Sequence, residues 1–281
     1  MKSENGNPLK IIFSPAKQMC ETDMIASTAE PVFLKKAAEI LQYLRGLSYE
    51  QAKALWECSD KIAKESYEEL MQTDLQKAAT PAILSYEGIA FRYMAPDVFE
   101  DQHLEYVQKH LRILSGLYGV LKPLDPVVPY RLEMKEKAHV AGTASLYQYW
   151  GRDLYDEVVR FEDAGNRTTG ESGGHDRSGG SVIINLASKE YSRCIESWLQ
   201  PEDHFLTCVF GEMDGARVVQ KGVYVKMARG DMVRFMAENQ IEDPENLKGY
   251  DRMGYSFRDD LSSENQFVFI HEANRQETTS D

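Results

Sequence analysis

Val182-Ile183-Ile184-Asn185-Leu186 runs directly into Ala187-Ser188-Lys189-Glu190-Tyr191. A near-continuous apolar run is the composition of a strand covered on both faces, and Ser188 supplies a helix start immediately behind it. Strand followed by helix is the repeating unit of an α/β fold, and the rest of the chain can be read outward from it. Lys10-Ile11-Ile12-Phe13-Ser14 is a second buried strand, ended by Pro15. Phe33, Leu34, Ala37, Ala38, Leu41 and Leu44 recur at helical spacing, which predicts an amphipathic helix over 31–46 closed by Gly46. Ser48 and Gln51 form a capping box for the next helix, and a third is expected after Ser59.

Further along, Pro81-Ala82-Ile83-Leu84 reads as a strand leading into a Tyr86-Glu87-Gly88 turn, and Asp101 is placed to cap a helix. Ser145 opens a helix rich in aromatic residues. Residues 204–210 and 217–225 read as strands around a turn at Asp214-Gly215. Ala228 to Asn239 reads as a helix, Asp243-Pro244 as the start of a short one, and Gln266 to Ile270 as a closing strand. Residues 162–181 hold six glycines and no large apolar side chain, the composition of a flexible loop. The fold class expected is α/β (α+β): a single domain over 1–281, with a mixed sheet flanked by helices and a Gly-rich loop inserted at 162–181.

Composition narrows the function. The 281 residues carry 32 Lys+Arg and 45 Asp+Glu, a formal charge of −13, and 42% of them are hydrophobic. No uncharged apolar run approaches the roughly 18 residues of a membrane span; the best is Ile113 to Leu121. No membrane partner is expected. Glu4 and two asparagines interrupt the start of the chain, unlike a signal peptide's apolar region, so a cytoplasmic location is expected. Cys20, Cys58, Cys194 and Cys208 form no C-x-x-C pair, which removes thioredoxin-like and zinc-ribbon readings. His103 and His110 lack the i, i+4 partner of a helical metal site. No metal, no cofactor and a monomeric state are expected.

Three segments can carry chemistry. In Ser14-Pro15-Ala16-Lys17, Ser14 at a strand end and Pro15 at a first helical position describe a short turn whose free amides and Lys17 face one point, an anion site. The segment is also literally S-x-x-K, but the companion S-D-N and K-T-G elements of serine acylases are absent. A plain strand–turn is the alternative, ranked behind the anion site. In the second segment, Gly116 and Gly119 followed by Pro123 and Pro126 describe a rigid path able to pass close to a ligand. Pro129 to Met134 then returns as a strand with Arg131 and Glu133 on one face. That arrangement suits either an internal Arg–Glu pair or an arginine oriented toward phosphate. In the third, Lys226 at a strand–helix junction and Arg229 in a first turn would oppose the helix dipole unless an anion sat nearby. Taken separately, residues 10–20, 108–137 and 221–234 carry +2, +3 and +3, which leaves −21 for the rest of the −13 total. An acidic chain can therefore hold a local basic cleft, while its net charge discourages indiscriminate binding to nucleic acid.

KIIFSPAKQM, SYEGIAFRYM, HLRILSGLYGVLKPLDPVVPYRLEM, LYQYWG, INLASKEY, KMARGDMVRF and GYDRMGYSF, in this order from about Lys10 to Ile270, resemble the YaaA peroxide-stress-resistance family. The resemblance implies a cytosolic bacterial protein with one mixed α/β fold around a basic cleft that binds double-stranded DNA. It also implies a role in keeping free intracellular iron and oxidative damage low under peroxide. Carried over residue by residue, the basic motif positions are Lys17, Arg112, Arg131, Lys226, Arg229 and Arg234. Two departures stand out: Cys20 precedes Glu21 where relatives carry an acidic residue, and the 162–181 loop is long. The rival expectation is an enzyme acting on a nucleotide or nucleic-acid base, with Ser14 and Lys17 near the chemistry and Arg131 and Arg229 holding phosphate. Direct iron sequestration ranks last, since no compact His/Glu cluster is present.

Overall fold

Strands buried along their whole length need helices on both faces, and the computed structural model, which describes residues 9–22, 30–160 and 180–272, is built that way. In chain order the strands are β1 (Leu9–Phe13), β2 (Gln18–Met19), β3 (Thr80–Pro81), β4 (Tyr86–Glu87), β5 (Leu111–Ser115) and β6 (Gly119–Leu121). They continue with β7 (Pro126–Val127), β8 (Val182–Asn185), β9 (His204–Asp214), β10 (Arg217–Val219), β11 (Tyr255–Phe257) and β12 (Gln266–His271). The helices are α1 (Leu34–Arg45), α2 (Tyr49–Trp56), α3 (Asp60–Gln72), α4 (Ala82–Ser85) and α5 (Ile89–Met94). After them come α6 (Asp101–His110), α7 (Leu146–Trp150), α8 (Asp153–Val158), α9 (Lys189–Glu196) and α10 (Gly222–Glu238).

One mixed sheet runs β11-β12-β9-β8-β1-β5-β6, with β10 folded back onto β9. β12, β9, β8, β1 and β5 are mutually parallel, and the antiparallel strands β11 and β6 close its two sides. All five residues of β1 and of β5 are buried, as central strands require. The hydrophobic core is one cluster reaching from Leu9 to Phe269. The fold is therefore the mixed α/β class expected, in one domain.

Local expectations fared unevenly. Ser48 does accept the Gln51 amide while the Gln51 side chain accepts the Ser48 amide, a complete capping box for α2. Residues 81–84 do not form the expected strand. The Ala82 and Ile83 amides donate to the Asp125 and Pro123 carbonyls, and the chain turns into α4 instead. Tyr86-Glu87, expected as a turn, pairs with Gln18-Met19. Glu100 rather than Asp101 occupies the N-cap of α6. The aromatic helix after Ser145 is split into α7 and α8 at Gly151, whose φ is +52°. The strand expected to reach residue 225 stops at Val219, and α10 starts at Gly222, six residues before the expected Ala228. In the Gly-rich stretch, residues 162–179 lie outside the described residues.

Candidate functional site

β1 and β8 are parallel neighbours whose outgoing connections diverge: β1 leads by way of α1–α6 to β5 on one side, β8 by way of α9 to β9 on the other. Their carboxyl ends therefore flank a topological switch point, where open α/β sheets leave a crevice. Ser14 and Ser188 stand across it. The Ser188 amide, at the N-cap of α9, donates to Ser14 Oγ at 2.8 Å, and the two hydroxyl oxygens are 3.2 Å apart. Ser14 thus caps α9 rather than a turn of its own. No helix follows Pro15; residues 14–16 run without regular structure into a bend at Lys17.

A crevice opens beside this contact, lined by Pro15, Ala16 and Lys17 after β1, by Tyr130 to Glu133, and by Tyr191 of α9. Its room suits a single small group rather than a nucleobase. The Tyr130 hydroxyl lies 2.8 Å from that of Tyr86 and 2.6 Å from Ser115 Oγ at the end of β5, and the Tyr118 amide donates to the same Ser115 oxygen. A Cβ on Gly116 would lie 2.6 Å from the Leu132 carbonyl oxygen. Gly116 therefore lets the 129–134 segment lie against the end of β5; the glycine path approaches its own backbone. Residues 129–133 form no strand, and a turn begins at Met134. They nevertheless alternate as expected, with Arg131 and Glu133 half-buried at the crevice and Leu132 and Met134 in the core.

Charge in the crevice is balanced by its own residues. Lys17 Nζ sits 2.8 Å from Glu133 Oε2, and Lys135 Nζ lies 3.6 Å from the same oxygen. The Lys135 amide donates to Glu190 Oε1, and burial holds the Glu190 carboxyl above its ordinary value. Arg131 Nε is buried without a hydrogen-bond partner. Behind the crevice is a group that the sequence reading passed over. Glu136 is 6% exposed, and neither carboxylate oxygen makes a hydrogen bond. Burial pushes its carboxyl up to about 8; the Glu133 backbone draws it back, the Glu133 carboxylate adds to the rise, and Arg131 and Lys17 oppose it. A signal was present in the sequence. Leu132, Met134, Glu136, Ala138 and Val140 occupy alternate positions and all are buried, so Glu136 stands in an apolar register.

The other basic positions lie outside the crevice lining. Arg112 is 1% exposed within β5, where its guanidinium donates to the Gln108 and Leu111 carbonyls and lies in the field of Asp125. Arg229 is in the third turn of α10, half-buried beside Cys208, and desolvation lowers its pKa. Arg234 Nε is 2.7 Å from Glu238 Oε1, and Arg252 shares that carboxylate. Lys226 is exposed on the second turn of α10. The early start of α10 removes the expected opposition to its dipole, which fades within the first turn. Among the described residues no group of three His, Cys, Asp or Glu is arranged to hold a metal, and no helix is long and apolar enough to cross a membrane.

Comparison with known proteins places this geometry in a family. The sequence profile described as "Peroxide stress protein YaaA" matches residues 9–261. A UPF0246 protein of Agathobacter rectalis is 51% identical over 262 residues, covering 93% of this chain and 98% of that protein. A UPF0246 protein of Desulfitobacterium hafniense is 47% identical over 263 residues, with the same two shares. One of Lachnoclostridium phytofermentans is 44% identical over 263 residues, 93% of this chain and 96% of that protein.

Proposed function

The chain belongs to the family described as peroxide stress protein YaaA, and from that premise we propose that it acts in the cytoplasm, as a monomer, by binding double-stranded DNA during peroxide stress. The observation that carries the DNA part is the meeting of Lys17 and Arg131 in one crevice at the switch point. Two cations beside room for one small group favour a single phosphate over a base or a whole nucleotide. Lys226, exposed on α10, is a further phosphate contact in this reading. Arg112, buried in β5, and Arg234, held by Glu238, serve through the fold, while the half-buried Arg229, whose Nε has no hydrogen-bond partner, is a further phosphate contact in this reading. The limiting of free iron and oxidative damage rests on the family resemblance alone.

Fluorescence anisotropy of a labelled duplex, titrated with salt, tests the reading. Affinity falls steeply as salt rises, and Lys17→Ala and Arg131→Ala each weaken binding and lower the salt slope by about one. Absence of binding at low salt overturns it.

A second reading, an enzyme acting on a nucleotide or base, draws on one observation: the buried Glu136 carboxyl, which titrates near neutrality in the field of Lys17 and Arg131. Turnover in a nucleotide screen, lost in Lys17→Ala, would promote it over the first.

A further inference from the structure

Glu133 holds Lys17 and has a second cation within reach. Its Oε2 lies 2.8 Å from Lys17 Nζ, both residues being part of the crevice lining, and 3.6 Å from Lys135 Nζ, which stands outside that lining. A ligand that takes Lys17 therefore leaves the carboxylate with a partner of its own. The crevice itself is a dead end. Tyr130 stands in its wall with its hydroxyl tied to those of Tyr86 and Ser115, which are 2% and 0% exposed, so no passage opens on that side. Gly116 lies against the Leu132 backbone so closely that a Cβ would come within 2.6 Å of the carbonyl oxygen. Tyr191 of α9, itself buried, supplies the opposite wall. The space open to the centre of a water-sized sphere is about 30 Å³. That is about two to three times what one water needs.

We propose that this crevice is a receptor for a phosphomonoester dianion, which exchanges with Glu133 for Lys17. The inference rests on the phosphate-site reading above and deepens it by naming the class of phosphate that is held. Room decides first. A monoester phosphorus carries one carbon substituent, which leaves through the mouth while the terminal oxygens fill the space. A diester phosphorus carries two, and a crevice of this size with no second exit keeps it at the rim. Charge decides next. The lining holds two cations, Lys17 and Arg131, and one carboxylate, Glu133. A diester of unit charge offers Lys17 no more than the tethered Glu133 carboxylate already does. A monoester carries about −1.5 to −2 near neutral pH and displaces it. With Glu133 turned to Lys135, two cations then meet about two negative charges. Two sources present such a group, the phosphorylated end of a DNA strand and a small free phosphomonoester.

Methyl phosphate and dimethyl phosphate, titrated into the wild-type protein and followed by NMR, test the site without DNA. Methyl phosphate shifts resonances of the crevice residues and at about pH 7.5 binds about fivefold tighter than dimethyl phosphate, the scale of one further charge shared by two partly open cations. Its affinity rises from about pH 5 to about pH 7.5 as its second proton leaves, while that of dimethyl phosphate stays flat. Methyl phosphate that fails to bind, or binds no tighter than the diester, overturns the inference. Lys17 exposes 58% of its side chain, so Lys17→Ala leaves the fold intact and brings the ratio toward one. Glu133→Gln narrows the ratio by opening Lys17 to the diester, and an unchanged ratio in both variants also overturns the inference. Three duplexes of one sequence separate the sources by anisotropy at low salt: phosphorylated at its strand ends, hydroxyl-ended, and closed at both ends by hairpin loops. Tighter binding of the phosphorylated duplex assigns the site to strand ends, and equal binding of all three assigns it to a free monoester. If no duplex binds, the DNA reading fails by itself, and the contrast between methyl and dimethyl phosphate still decides the crevice.

Discussion

Lys17 Nζ and Glu133 Oε2 meet at 2.8 Å at the mouth of the switch-point crevice, so a carboxylate of the protein stands on the cation that a phosphate would use. The pair is partly open, Lys17 exposing 58% of its side chain and Glu133 17%, and water screens much of its attraction. An incoming phosphate must displace Glu133 or share Lys17 with it. Glu133→Gln removes the competing charge and keeps the side chain's shape. Duplex affinity at low salt rises in this variant by about threefold, the scale of an exposed ion pair. Anisotropy at a single low salt concentration reads it. A loss of affinity would assign Glu133 to holding Lys17 in place instead.

Glu136 also sets a pH dependence of stability that needs no ligand. Its folded carboxyl titrates near 8, above the ordinary carboxylate value of about 4.3. Between these two values the folded state holds a proton that the unfolded state has released, so stability falls as pH rises through the window. Glu136→Gln removes that loss. Urea unfolding gives the variant and the wild type similar stability at about pH 4, and by about pH 8 the variant is ahead by on the order of 3 kcal/mol. No widening gap between pH 4 and pH 8 would mean that Glu136 finds a partner in the folded protein.

What the sequence reveals divides along the range of the forces involved. Short-range signals were legible: the Ser48–Gln51 box, the buried run Val182 to Asn185, and the alternation that turns Arg131 and Glu133 to one side. Ser14 and Lys17 were readable as a strand-end site, but not their partners. Ser188 and Glu133 reach them only because β1 and β8 lie side by side and Gly116 admits the Leu132 backbone. The start of α10 was misplaced because Val219, Val223, Tyr224 and Val225 are β-branched or aromatic and suit a strand, whereas the segment from Gly222 is part of a helix that packs on α5 and β9. In that packing a Cβ on Gly230 would come within 1.8 Å of the Ala90 carbonyl oxygen, a demand made by another helix that local propensity does not register. Glu136 was missed because Lys135-Glu136-Lys137 reads as solvated surface until its alternation with Met134 and Ala138 is counted.

Arg112 separates a structural cation from a binding one. It is fully buried, its guanidinium spanning the Gln108 and Leu111 carbonyls beside Asp125, whose own carboxyl burial raises to about 6. Arg112→Ala leaves those carbonyls and the carboxyl without their cation and opens a void in β5. The expected cost is about 3 kcal/mol in urea unfolding. The salt slope of duplex binding by the protein that remains folded is unchanged, because no counterion was released at this position. A slope reduced by about one, with stability intact, would return Arg112 to the interface.

His110 makes the fold sensitive to acid. It is 2% exposed; its Nδ1 lies 2.7 Å from the Leu9 carbonyl oxygen, and its ring lies against that of Tyr106, tilted by 31° with centroids 4.4 Å apart. Burial lowers its pKa; the Leu9 carbonyl and Glu242 pull the other way, while Lys109 and Lys10 add to the lowering. With the folded value below the unfolded one of about 6.5, the unfolded chain takes up a proton first as pH falls. The contribution of the neutral ring is therefore complete above about pH 7 and is lost progressively below about pH 6.5, down to the folded value. The structure gives the reason: a charged ring would have to sit at the junction of β1 and α6, with the largely exposed Glu242 carboxylate 3.6 Å from Nε2. His110→Gln keeps a donor for Leu9 and does not ionise. Urea midpoints measured at about pH 7, 6 and 5 fall in the wild type and fall less in the variant, so the two curves diverge as pH is lowered. Parallel curves would show that His110 titrates alike in both states and that the acid sensitivity lies elsewhere.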